Sequence, residues 1–238
     1  GIATGFLNVM AGGGSMLSVP MMIFLGIPGP IANGTNRIAI LPQNLSAVIA
    51  FFRQGFADFK LSFSLALCTI PGAVAGAFVA TKISLDRFNY LLAVIMIIIM
   101  ILMWLGDRKP SPQIQPVLNK KRLLAGHLLM VLVGFWGGFI QIGVGFILMP
   151  VLHRVMGLDL LRTNMHKVFI VMVFTLAALM VFANQLDLDW RAGVALAVGT
   201  SLGGWLAANF QIKQGVGMIR LVLNVVLIVF VSKLLLGW

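Results

Sequence analysis

From Leu61 to Ala80 the chain carries no charged side chain. An α-helix rises about 1.5 Å per residue, so roughly 20 apolar residues cross the hydrocarbon core of a bilayer. Five further segments meet or approach that length: Ile38–Phe52, Phe88–Leu105, Val168–Ala183, Ala192–Phe210 and Leu221–Leu236. No alternating strand pattern competes with them, and a closed barrel would need many such strands. Charged residues make up only 10% of the chain and hydrophobic ones 60%, too little polarity to cover a soluble core. The fold class expected is therefore all-α, a polytopic membrane protein. A soluble oxidoreductase, a disordered tail and a disulfide-stapled module are excluded, and the lone Cys68 forms no internal bridge. A net charge of +11 would suggest nucleic acid in a soluble protein. Here the basic residues fall in short loops, where they set topology, so membrane lipid is expected as a partner and nucleic acid is not. The apolar opening has no basic region before it and runs into glycines, so no cleavable leader is expected; Gly1 in place of Met leaves room for residues upstream.

Two apolar stretches are broken. The stretch 1–25 is interrupted by Ala11-Gly12-Gly13-Gly14-Ser15 and then contains Pro20; Leu123–Leu152 is interrupted by Gln141-Ile142-Gly143-Val144-Gly145 and then contains Pro150. Glycine runs and proline disfavour a continuous helix, so each is either one kinked crossing or a pair of half-length arms that dips in and returns. The chain is also duplicated. A shift of 131 places matches Gly26 to Gly157, Asn33 to Asn164, Phe51 to Phe182, Gln54 to Gln185 and Asp58-Phe59-Lys60 to Asp189-Trp190-Arg191; a shift of 130 pairs Gly13 with Gly143 and Pro20 with Pro150. Such a register predicts two homologous halves, 1–106 and 123–238, joined by a cytoplasmic linker at 107–122 that is rich in proline, lysine and arginine. With hairpins in place of full crossings, most Lys and Arg gather on the linker's side, as the positive-inside rule requires. Three full crossings then remain per half, an odd number, so the halves are expected to be inverted, a recurrent transporter plan.

Polar residues are sparse and follow each break. The first half offers Asn33, Thr35, Asn36 and Arg37, then Gln43 and Asn44; the second offers Arg162, Thr163, Asn164, His166 and Lys167, with Asn36 opposite Lys167 in the repeat register. No carboxylate falls within an expected span, which disfavours a cation carrier. The residues point instead to an anion site. Glycine breaks at Gly12, Gly13, Gly14, Gly143 and Gly145 free backbone N–H groups at the starts of the second half-helices, where oxyanions bind. Ser15, Asn33, Thr35, Asn36, Gln43, Asn44, Gln141, Asn164 and His166 could add neutral contacts, and Lys167 with Arg37 a positive potential. Blander readings stand beside these. Gly72, Gly76, Gly203 and Gly204 read as packing positions, Asn33 and Asn164 as caps, and Asp58 and Asp189 as local partners of Lys60 and Arg191. No nucleotide loop, zinc-protease motif or serine-hydrolase elbow is present, three separated histidines make no metal site, and no cofactor or enzyme activity is expected.

The opening Gly5-Phe6-Leu7 with Ala11-Gly12-Gly13-Gly14-Ser15, Val19-Pro20, Gly26 and Ala32-Asn33-Gly34-Thr35 resembles the sulfite exporter TauE/SafE family. The stretch from Gly134 through Gln141, Gly145 and Pro150 to Asn164–Lys167 is similar to that family's second half. The resemblance implies a two-repeat permease of the cell inner membrane that moves sulfite, sulfoacetate or another organosulfonate, usually outward and in some relatives inward. A passive anion channel of the same architecture is the alternative, and a homo-oligomer is left open. Gln141-Ile142-Gly143-Val144-Gly145 departs from the commoner glycine triplet, which predicts unequal contributions from the two half-sites.

Overall fold

The computed structural model describes residues 1–55, 58–105 and 119–210. The expected span Leu221–Leu236 and most of the linker lie outside the described residues. The first half contains α1 (Ile2–Ala11), α2 (Ser15–Phe24), α3 (Gly29–Arg53), α4 (Phe59–Thr81) and α5 (Leu85–Leu105). The second contains α6 (Lys120–Phe139), α7 (Val144–Pro150, prolonged by a π turn over Val151–Val155), α8 (Leu160–Gln185) and α9 (Trp190–Phe210). Among the described residues there is no strand.

Short acceptor side chains start four of these helices. Asp58 accepts from Leu61 N–H, Asn119 from Arg122 N–H, Asp159 from Leu161 and Arg162 N–H, and Asp189 from Ala192 N–H. Each satisfies donors that a helix N-terminus leaves open. This corrects the expected ion pairs of Asp58 and Asp189. Among the described residues the one ion pair within 4.0 Å joins Arg162 to Asp159, at 3.4 Å. Backbone donors are fixed in direction and close by, whereas Lys60 and Arg191 sit on stems free to reach water.

Among the described residues, four helices, α4, α6, α8 and α9, are long and apolar enough to cross a membrane. With 25 residues α3 has the length as well, but Asn33–Arg37 and Gln43-Asn44 dilute its apolar character. The arms of the second broken stretch are unequal, which corrects the half-length expectation: α6 alone has 20 residues because Asn119 caps it three residues earlier than the apolar run suggested. After the break the chain doubles back. A Cβ built on Gly126, near the start of α6, would meet the Met156 side chain just past the π turn, at 2.5 Å.

Small residues bring the halves together. On α4, Gly72 and Gly76 lie against the backbone of Val131, Phe135 and Phe139 of α6, while Gly134 and Gly138 of α6 lie against Thr69 and Ala73. The counterpart pair is built alike: Gly5 of α1 meets Thr200 of α9, and Gly203 of α9 meets Ile2 and Phe6. In lipid, where apolar burial gives helices little reason to associate, such backbone approach supplies the dispersion contact. The outer faces of α4, α6 and α9 show large apolar side chains, among them Leu67, Leu132 and Val198. Around a polar interior strip, this is the pattern that hydrocarbon as solvent selects.

At Gly138 an added Cβ would press on the Ala73 backbone, which has no room to yield. Gly138→Val is therefore expected to destabilise the fold by about 2 kcal/mol or more, read as thermal unfolding in detergent. Val198→Leu, on an exposed face, should change it by no more than about 0.5 kcal/mol. Equal melting of the two variants would contradict the close-packed seam.

Candidate functional site

The first helix of each half ends inside the protein. At the end of α1, Gly12 turns left-handed at φ 74° and its N–H returns to Asn8 O at 2.7 Å. Beyond α6, Gln141 and then Gly143 turn left-handed, at φ 59° and φ 70°. Glycine takes this conformation freely, whereas a side chain there costs roughly 1–2 kcal/mol. Gln141 bears that strain. Each ending leaves carbonyl oxygens without intrahelical donors and concentrates the negative end of the helix dipole.

A long helix of the opposite half answers each ending with a cation. Lys167 of α8 donates from Nζ to Val9 O of α1 at 2.5 Å and lies 3.5 Å from Asn8 O. Arg37 of α3 donates to Gly137 O and Gly138 O of α6 at 2.9 and 2.6 Å, with its guanidinium 4.6 Å from the centre of the Phe182 ring. Asn33 completes the second cap, donating to Phe139 O at 2.9 Å. Arg37 is 0% exposed and Lys167 2%. Among the described residues, no carboxylate lies within 4.0 Å of either.

The neighbouring polar positions also reach across. Asp189 N–H, at the start of α9, donates to Thr35 Oγ1 at 3.1 Å. In the corresponding place His166 Nδ1 lies 2.7 Å from Ser62 Oγ near the start of α4, and its Nε2 has no partner. Asn36 stays within its own half, donating to Ser15 Oγ and accepting from Ser18 Oγ. Gln43 Oε1 takes a long bond of 3.4 Å from Asn8 Nδ2. Asn164, the repeat mate of Asn33, is fully buried with neither end of its amide partnered.

Between the broken stretches lies a small cavity with room for about one water molecule. It is lined by Gly12, Ser15, Asn44, Gln141, Gly145 and Lys167, together with Asn8, Ile40, Val144 and Val171. The lining thus holds the first residue of α2, the start of the apolar helix Val144–Val155, and the Lys167 side chain. Gly12 and Gly145 cross so closely that a Cβ on either would strike the other's backbone. Gly13, Gly14, Asn33, Thr35, Asn36, Gln43, Gly143, Asn164 and His166 lie outside this lining. Asn8 is the polar lining residue that sequence reasoning did not single out. Its signal was an amide one turn before the glycine break in an otherwise apolar helix.

A cavity of this make-up offers a buried ammonium group, a serine hydroxyl at a helix start and three side-chain amides, with no acid among the lining residues. Chemically it suits a small anion.

Comparison with known proteins follows the same line. A probable membrane transporter protein, ORF9, of Sinorhizobium sp. is 28% identical over 97% of this chain and 88% of its own length. Probable membrane transporter proteins of Haemophilus influenzae and of Escherichia coli strain K12, the latter YfcA, are each 24% identical. They match over 100% and 97% of this chain and 93% and 85% of their own lengths. No solved structure matches the chain. Residues 1–234 match the family Sulfite exporter TauE/SafE, and the chain belongs to that family of membrane transporters.

Proposed function

We propose that the protein is a secondary transporter of a small anion, a sulfur oxyanion or an organosulfonate, across the cell inner membrane. The observation that carries this reading is Lys167: a buried basic group on the wall of an internal cavity, held by carbonyl oxygens and facing no carboxylate among the described residues. Burying an ammonium is costly unless opposite charge compensates it. The partial negative end of α1 supplies part of that compensation, and an anionic substrate supplies the rest. The Ser15 hydroxyl donates from the other wall, while the N–H groups of Met16 and Leu17 that follow it are taken by Gly13 O and Gly14 O.

The halves are inverted in this account. Their equivalent helices α3 and α8 meet in opposed order: Gly34 lies beside Phe182 and Leu188, while Ile40 and Asn44 share the cavity with Val171 and Lys167. Two such helices run past each other antiparallel. The cavity admits about one water, so loading a polyatomic anion requires the broken stretches to separate at the Gly12–Gly145 crossing. Separation toward one face and then the other is alternating access. An inside-negative potential drives anion efflux by roughly 2.3 kcal/mol per charge per 100 mV, so export is the favoured direction.

Proteoliposomes loaded with sulfite should show saturable efflux and counterflow. Flux proportional to concentration, with no counterflow, would indicate a passive pore, and flux equal to that of protein-free vesicles would remove the assignment. The two buried cations should separate in mutation. Lys167→Met leaves one carbonyl, Val9 O, without its side-chain partner, so it is expected to destabilise the protein by only about 1 kcal/mol and to lose at least about tenfold in transport, because the charge facing the anion is gone. Arg37→Met leaves two buried carbonyl oxygens unpaired and should destabilise the protein by about 3 kcal/mol. The reverse pattern would exchange their roles.

A further inference from the structure

Gln141 combines two costs at the cavity wall. Its backbone is left-handed, the conformation that glycine takes at Gly12 and Gly143 in the two breaks, and its side chain, only 2% exposed, is half satisfied. Nε2 donates to Thr175 Oγ1 at 2.7 Å, which fixes the amide, and Oε1 is buried without a partner among the described residues. Strain and an orphaned acceptor at one residue mark a position shaped for a ligand. The other groups on this wall limit what that ligand is. Lys167 is the one basic side chain in the lining. Two of its N–H groups are directed at α1 carbonyls, which leaves a third. Ser15 Oγ accepts from Asn36, so its own hydrogen is free to be donated into the cavity.

We infer that Gln141 makes the site selective for a singly charged oxyanion that still carries one O–H, such as the hydrogen form of sulfite. The ligand's hydroxyl donates to Gln141 Oε1 while its anionic oxygens face Lys167 and Ser15. A fully deprotonated dianion brings a lone pair against the Gln141 oxygen and a second charge that no cation in the lining answers. A plain sulfonate satisfies the charge and leaves Oε1 unpaired. This selectivity rests on the anion-transport reading above.

Methylphosphonate and methanesulfonate provide the test. At a pH where methylphosphonate keeps one proton, both are tetrahedral monoanions of similar size, and only methylphosphonate has an O–H. Equilibrium binding to the full-length purified chain is expected to favour methylphosphonate by about tenfold. Gln141→Leu should bring that ratio to about one. Raising the pH until methylphosphonate is a dianion should abolish its advantage in the unaltered protein, a readout independent of whether the variant folds. Equal affinities in the unaltered protein, an advantage that persists for the dianion, or a ratio preserved in Gln141→Leu would each overturn the inference. Failure of both anions to bind would instead overturn the anion reading, and the selectivity with it.

Discussion

A helix that stops inside the apolar interior of a protein leaves carbonyl oxygens that its surroundings cannot solvate. The architecture depends on how this chain answers that requirement twice, at the ends of α1 and α6. Each time, the remedy comes from the other half, as Lys167 for α1 and as Arg37 with Asn33 for α6. The polar strips of α3 and α8 are therefore structural before they are functional: they tie each half to the broken helix of its counterpart. The glycine seams of α4 with α6 and α1 with α9 then close the bundle around that exchange. A charge that could not be tolerated in contact with lipid is stable here because the helix dipole and bare carbonyls meet it.

The two answers are not equivalent, and the difference sets the site. Arg37 is forked across two carbonyls and stacked on Phe182, and only its Nε lacks a partner among the described residues. With one bond of 2.5 Å and a weaker contact, Lys167 remains on the wall of the cavity. The same inequality runs through the asparagines: Asn33 caps α6, whereas Asn164 is buried with no partner. It appears again at the turns, where glycine stands after α1 and Gln141 after α6.

The helical class and the breaks were legible in the sequence because glycine, proline and apolar run length act locally. The caps at Asp58 and Asp189 were visible as residues and misread as ion-pair partners, since distance along the chain does not distinguish a backbone donor from a nearby side chain. The roles of Arg37 and Asn33 were not legible: their carbonyl partners lie 100 to 106 residues away, and a backbone oxygen leaves no mark in a sequence. Asn8 was overlooked for the same reason. It joins the site only because the chain turns back at Gly12 and a second broken stretch crosses there.

Opposed entry of the two broken stretches underlies the whole account, and labelling from each side of the membrane tests it most directly. Single cysteines at Leu25, in the turn after α2, and at Leu160, the first residue of α8, both exposed, are introduced into a Cys68→Ser chain. A membrane-impermeant maleimide is then applied to intact cells and to inverted vesicles. The account predicts that one site labels only in cells and the other only in inverted vesicles. Labelling of both from the same side would contradict it.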